Sequence, residues 1–203
     1  MFNSAQQQDE FVANLLNFKR GGFYLDVGAA HGTHCNNSKY FESLDWKGIC
    51  IEYDSKYNNT YGDRRCNFLN VDALSLNYKE LFEKNSIPKE IDYLSMDIDE
   101  FSYRALLKLP FEHYMFKIIT VEHDFYLHGD SFRKEQRDLL FSNGYMIICE
   151  DVLVEQSRNN PPKTTVEPFE DWWIHPDFFS EELINKIRST KEYPSDIIMK
   201  FKK

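Results

Sequence analysis

Apolar positions along this chain follow two alternating rhythms. From Asp9 to Phe18, the residues Phe11, Val12, Leu15 and Leu16 share one face of a helix. The unbroken run Phe23 to Val27 then predicts a first strand, and a helix follows from about Asn36 to Leu44. Further strands are predicted at Gly48–Tyr53, Cys66–Val71, Ile91–Met96, Phe116–Val121 and Tyr145–Cys149. Between them lie a short helix over Tyr78–Lys84 and one with Phe101, Ala105, Leu106 and Leu109 on its inner face. Ser131 reads as the N-cap of another helix and Gly144 as its stop. Ile197–Phe201 reads as a last strand. Strands alternating with helices predict an α/β fold, with a mostly parallel seven-stranded sheet, an antiparallel last strand and helices on both faces.

The segment Glu150 to Tyr193 breaks this rhythm. It carries Pro161-Pro162, Pro168, Trp172-Trp173 and Pro176, then a predicted helix over Ser180–Ser189. A connection this long is either a functional lid or wall, or a packed surface excursion with the Trp pair in a satellite core.

Composition narrows the classes. The 203 residues suit one domain with a sizeable core, and 17 Phe and 12 Tyr mark a packed globule. A net charge of −9 argues against a general nucleic-acid binder, whose affinity rests on cationic contacts to phosphate. No apolar stretch reaches the roughly 20 residues that span a bilayer, so no membrane association is expected. Cys35, Cys50, Cys66 and Cys149 form no Cys-x-x-Cys pair, which fits reduced thiols and a cytoplasmic location.

Candidate chemistry gathers where the predicted strands end. In open parallel sheets, ligands bind beyond the carboxyl ends of the strands. Strand one runs into Asp26-Val27-Gly28-Ala29-Ala30-His31-Gly32, a tight turn of the Rossmann type. Its glycines are not spaced as in a pyrophosphate loop, and Asp26 would repel a phosphate. A cationic ligand without phosphates, S-adenosylmethionine (SAM), fits better. Glu52 closes strand two, where an acid can accept both ribose hydroxyls, with Tyr53 beside it. Asp72 could accept an adenine amino group while the Ala73 amide meets a ring nitrogen, or it could cap the following turn. Asp26 would organise the loop or accept the SAM ammonium. Asp97 and Asp99 share one side of an extended stretch. They could contact the methionine end or the acceptor, or hold a divalent metal with Glu122 or Asp124. His123 is the first choice as general base, with His31 and His34 as rivals and Asp97 as a second candidate.

Several segments together resemble the FkbM family of SAM-dependent methyltransferases. They are Gln8-Asp9-Glu10-Phe11, Gly22 to Ala29, Asn36-Asn37-Ser38, Trp46 to Glu52, Asp92 to Asp99 and Ile119 to Asp124, in matching order over about the first 150 residues. One departure is Glu100, which stands where members often have glycine. The resemblance implies the class I methyltransferase fold, and that Gly28, Gly32, Glu52 and Asp72 line the cofactor, with Ala29 in the same loop. It also implies Gln8 and Asn37 as cofactor-side neighbours. On this reading residues 1–150 form a cofactor-binding core, 151–193 an acceptor-side insertion and 194–203 the last strand.

The expected reaction is methyl transfer from SAM to a hydroxyl of a small molecule or glycan. Two rivals remain at this point. One is a metal-dependent nucleotide-sugar glycosyltransferase using Asp97 and Asp99; the other is a non-catalytic partner-binding module with the same fold.

Overall fold

A computed structural model describes residues 1–159 and 162–202, so Pro161 of the Pro161-Pro162 pair lies outside the described residues. The chain opens with helix α1 (Gln8–Leu15), then strand β1 (Phe23–Val27), a 3-10 turn (Lys39–Leu44) and β2 (Lys47–Glu52). Next come β3 (Asn67–Asn70), α2 (Tyr78–Lys84), β4 (Glu90–Met96), α3 (Ser102–Leu106) and β5 (Met115–Glu122). The second half holds α4 (Phe125–His128), α5 (Asp130–Ser142), β6 (Met146–Asn159) and β7 (Pro162–Ile174). It ends with α6 (Glu181–Ile187), β8 (Ser189–Thr190) and α7 (Pro194–Phe201).

The strands form one sheet in the order β3-β2-β1-β4-β5-β7-β6-β8. β1 to β5 run parallel, and β7 is antiparallel to both β5 and β6. Successive residues of each strand face opposite sides. Tyr24, Cys50, Tyr93, Ile118 and Trp172 join a core with α1 and α7. Leu25, Ile49, Leu94, Ile119 and Trp173 join the other, with α2, α3 and α5.

The sheet has eight strands where the sequence predicted seven, and four further expectations are corrected. Residues 197–201 are helical, not a strand, because Pro194 sits at the first helical turn and fixes φ there. Ile197 and Ile198 are then buried, and the Phe201 ring stacks edge-on to Phe11 at 6.1 Å. The antiparallel strand lies instead inside the supposed insertion, at Pro162–Ile174, and β6 runs unbroken across residue 150. The register skips one residue where Val152 faces Glu170 and Leu153 faces Pro168. That bulge accommodates a proline that otherwise argues against a strand. The Trp pair is no lid: both indoles are fully buried, Trp172 against Phe11 at 4.3 Å and Trp173 against Phe141 at 5.0 Å. Burying one such ring is worth about 4–6 kcal/mol. The helix expected over Asn36–Leu44 is only the 3-10 turn Lys39–Leu44; Asn36 stays outside it, its Oδ1 accepting the Ser38 and Lys39 amides.

Candidate functional site

The ends of β1, β2 and β4 meet around the turn after β1. Gly28 has φ +81° and donates its amide to Ile51 O at 2.9 Å. The Asp97 amide donates to Val27 O at 2.9 Å, which draws the end of β4 against Gly28. A Cβ on Gly28 would lie 1.7 Å from Asp97 O, so only glycine fits. Glu52 stands at the end of β2, half-buried. It accepts the Ala30 amide on Oε2 (2.8 Å) and the Asp54 amide on Oε1 (2.6 Å). Two fixed donors set its carboxylate in one orientation and leave lone pairs on both oxygens.

These residues border a cavity of about 560 Å³. Of the sequence candidates, Gly28, Glu52, Tyr53, Asp72, Ala73 and Asp97 line it. Tyr53 is exposed at its mouth. Asp72 does cap the turn over Ala73–Ser75, accepting the Leu74 amide at 2.8 Å on Oδ1. Oδ2 is left for the cavity, so the two readings of this acid are compatible. The lining also includes Asp99 and contains no Lys, Arg or His among the described residues.

Other candidates lie behind the wall. Asp26 is buried and accepts Ser38 Oγ at 2.6 Å; Asn37 donates to Ser95 Oγ at 3.0 Å. Ala29 is buried, and its carbonyl takes Asn36 Nδ2 and the Tyr61 hydroxyl. Gly32 donates its amide to Thr60 Oγ1 at 2.8 Å and packs against the Thr60 carbonyl. Gln8 is buried and accepts the Gln6 amide at 3.1 Å. These residues shape the loop without lining the cavity.

The centre of that support is Arg64, a residue that no motif in the chain singles out. Its fully buried guanidinium donates to Glu42 Oε1 (2.6 Å), Gly32 O (2.5 Å), Asn36 Oδ1 (3.0 Å), Tyr24 Oη and Ser38 Oγ (both 3.1 Å). Its partners, Cys50 Sγ at 3.6 Å included, lie 14 to 40 residues away in the chain. No local spacing marks it.

The structure does not bring His123 to the cavity. Its ring is buried, with Nδ1 accepting the Phe125 amide at 3.3 Å. Nε2 lies 3.7 Å from Asp151 and 3.8 Å from Asp171. Those two carboxylates are held by Arg133 and Arg137. Burial holds the imidazole below its ordinary range, opposed by the two carboxylates. His31 and His34 sit in the first loop and do not line the cavity either.

Beside the cavity, Asp97, Asp99, Glu122, Asp124 and Glu170 converge. Burial, and a hydrogen bond to Asp97, hold the Glu122 carboxyl far above the usual carboxylate range, so Glu122 keeps its proton and donates a hydrogen bond to Asp97. Burial pushes Glu170 up to about 8, with the charge of Asp97 adding to the shift.

Asp26 makes a test of the loop's electrostatics. Burial raises it from 3.8 to about 6; Asp97 adds to the shift, while Ser38, Ser95 and Arg64 oppose it. Cys50, Tyr61, Cys66 and Tyr93 are its other titratable neighbours. A raised acid binds its proton more tightly in the folded state, so stability falls as pH rises from the unfolded value through the folded one. Relative to Asp26→Asn, the wild type is expected to lose about 3 kcal/mol between pH ~4 and ~7. Urea unfolding of both proteins across that range checks it; a constant difference would remove the buried charge from the loop.

No family model matches the chain, and no curated protein matches it. Solved structures do. A provisionally named RNA methyltransferase, PH1948, from Pyrococcus horikoshii is 16% identical with a TM-score of 0.53, over 82% of this chain and 80% of that one. A precorrin-6y C5,15-methyltransferase from Geobacter metallireducens is 11% identical, TM-score 0.53, over 85% and 92%. A TehB-like SAM-dependent methyltransferase from Corynebacterium glutamicum is 12% identical, TM-score 0.51, over 85% and 88%. The chain has the Rossmann-like fold of these methyltransferases. None of its helices among the described residues is long and apolar enough to cross a membrane.

Proposed function

We propose that this protein is a SAM-dependent methyltransferase that methylates a hydroxyl oxygen of a small molecule or sugar, and that it is a relative of the FkbM family. The observation that carries the reading is the cavity wall. Glu52 is oriented by two amides at the end of β2, Asp72 lies beyond β3, and Gly28 lets the Asp97 backbone close on the turn after β1. Glu52 would accept the ribose hydroxyls, Asp72 Oδ2 the adenine amino group, and Tyr53 would cover the mouth. When bound, SAM supplies an electrophilic methyl group. An acid-lined wall favours a sulfonium and opposes a diphosphate. That observation favours SAM over a nucleotide sugar.

With His123 walled off, Asp97 would take the acceptor's proton. It lines the cavity and shares a proton with Glu122. The remaining requirement is alignment of donor and acceptor at about 3 Å.

The test is calorimetric titration of the chain with SAM, S-adenosylhomocysteine, NAD and nucleotide sugars in EDTA. Binding of the first two alone supports the reading; a folded sample that binds neither overturns it. Glu52→Ala is expected to weaken S-adenosylhomocysteine by about 1–3 kcal/mol through lost charge-assisted hydrogen bonds. An unchanged affinity in a variant with wild-type melting would take Glu52 out of the ribose site.

A further inference from the structure

The buried carboxylates of this protein are partnered almost everywhere. Asp92 is held by Lys19 and Lys117, and Glu42 by Arg64 and Lys39. Asp151 and Asp171 are held by arginines, and Asp9 accepts from Asn3 and Ser4. The exception lies where β5 ends. Asp124 is 1% exposed; neither of its carboxylate oxygens has a partner in full hydrogen-bond geometry, and only the Tyr126 hydroxyl and the exposed Asp99 carboxyl lie against it, with no cation beside them among the described residues. Glu170, 3% exposed and opposite Glu122 in the β5–β7 register, also has an unpartnered Oε1. Among the described residues, no lysine or arginine pairs with Asp99, Glu122, Asp124 or Glu170. An isolated buried carboxylate costs several kcal/mol unless something neutralises it.

We propose that Asp99, Glu122 and Asp124 form a site for one divalent cation of hard-oxygen preference, Mg2+ or Mn2+, on the acceptor side of the cavity. Each offers an oxygen, and these atoms lie within 4.8 Å of one another. Oxygens on opposite sides of one such ion stand about 4–5 Å apart. The backbone fixes the reach of Asp124: the bulged Phe169 carbonyl accepts the His123 amide at 3.0 Å and the Asp124 amide at 3.3 Å. Asp99 also lines the cavity, so the ion would border it. Binding would displace the proton that Glu122 shares with Asp97, and the three carboxylate oxygens then leave positions open for water or an acceptor oxygen, whose proton an ion would acidify. This last role rests on the methyltransferase reading; the site itself does not. The other cluster of this kind, His123 with Asp151 and Asp171, is already neutralised by Arg133 and Arg137.

The experiment uses the full chain, stripped with EDTA and dialysed, titrated with Mn2+ by calorimetry and electron paramagnetic resonance, then with Mg2+ by calorimetry. One ion per chain is expected, with a rise in melting temperature. Asp124→Asn and Glu122→Gln should each weaken binding at least about tenfold. Asp124→Asn keeps the shape and removes a buried charge, so the metal-free variant should melt no lower than the metal-free wild type, which shows that lost binding is not lost folding. A folded wild type that takes up neither ion at millimolar concentration overturns the proposal, as does unchanged affinity in Asp124→Asn. S-adenosylhomocysteine titrated in EDTA separates the two readings. Its binding without Mn2+ uptake sinks the cation site alone, and Mn2+ uptake without it sinks the cofactor reading alone.

Discussion

Gly28→Ala is expected to abolish S-adenosylhomocysteine binding and to destabilise the fold by about 3–5 kcal/mol. Two independent penalties meet at this position. The backbone is left-handed at φ +81°, and the added methyl would lie 1.7 Å from Asp97 O, 2.6 Å from Asp97 C and 2.7 Å from Ile98 Cγ2. The first two contacts are backbone and cannot rotate away. Nor can the strands part cheaply, because Gly28 N is tied to Ile51 O and Asp97 N to Val27 O. Relief requires the end of β4 to move, which carries Asp97 out of the cavity wall. Gly62→Ala is the control: its φ is −55° and nothing lies within 4 Å of its Cβ position. Urea unfolding gives the stability and calorimetry the affinity. A Gly28→Ala protein that binds and unfolds like the wild type would show that β4 does not close on this loop.

That position was legible from the chain because its signal is local. An apolar run, a glycine turn and an acid one strand later lie within thirty residues, and the structure places Gly28 and Glu52 on one cavity. What could not be read depends on distant partners. Ile197-Ile198-Met199-Lys200-Phe201 is too short for its period to separate strand from helix, and packing on α1 decides. Glu150 to Tyr193, which holds Glu170 to Ile174, reads by its length and prolines as a lid or wall or as a packed surface excursion. Yet Asp171 is buried with Arg137 and Asp151, and the two indoles go to opposite faces of the sheet. His123 follows a strand-end acid just as a base would. One residue of alternation turns it away from Glu122 and toward Asp151 and Asp171.

Arg64→Met should lower stability by about 3–5 kcal/mol, because removing one member of a buried ion pair strands the other. Glu42 would retain only Lys39 at 3.0 Å and the Arg65 amide at 3.1 Å, while Gly32 O, Tyr24 Oη and Ser38 Oγ would lose a donor each. Arg64→Lys should not rescue it. One ammonium cannot reproduce a planar fork that reaches Glu42, Gly32 and Tyr24 at once. The double variant Arg64→Met, Glu42→Gln should recover part of the loss, since no uncompensated buried charge remains. Cofactor affinity should fall as well in any folded Arg64 variant. The same guanidinium holds Gly32 and Asn36, and Asn36 holds the Ala29 carbonyl at 2.8 Å, one residue from the amide that orients Glu52. A variant that loses stability but keeps full affinity would separate this ion pair from the loop. Loss of both would make Arg64 the residue through which the loop's shape and the fold's stability depend on each other.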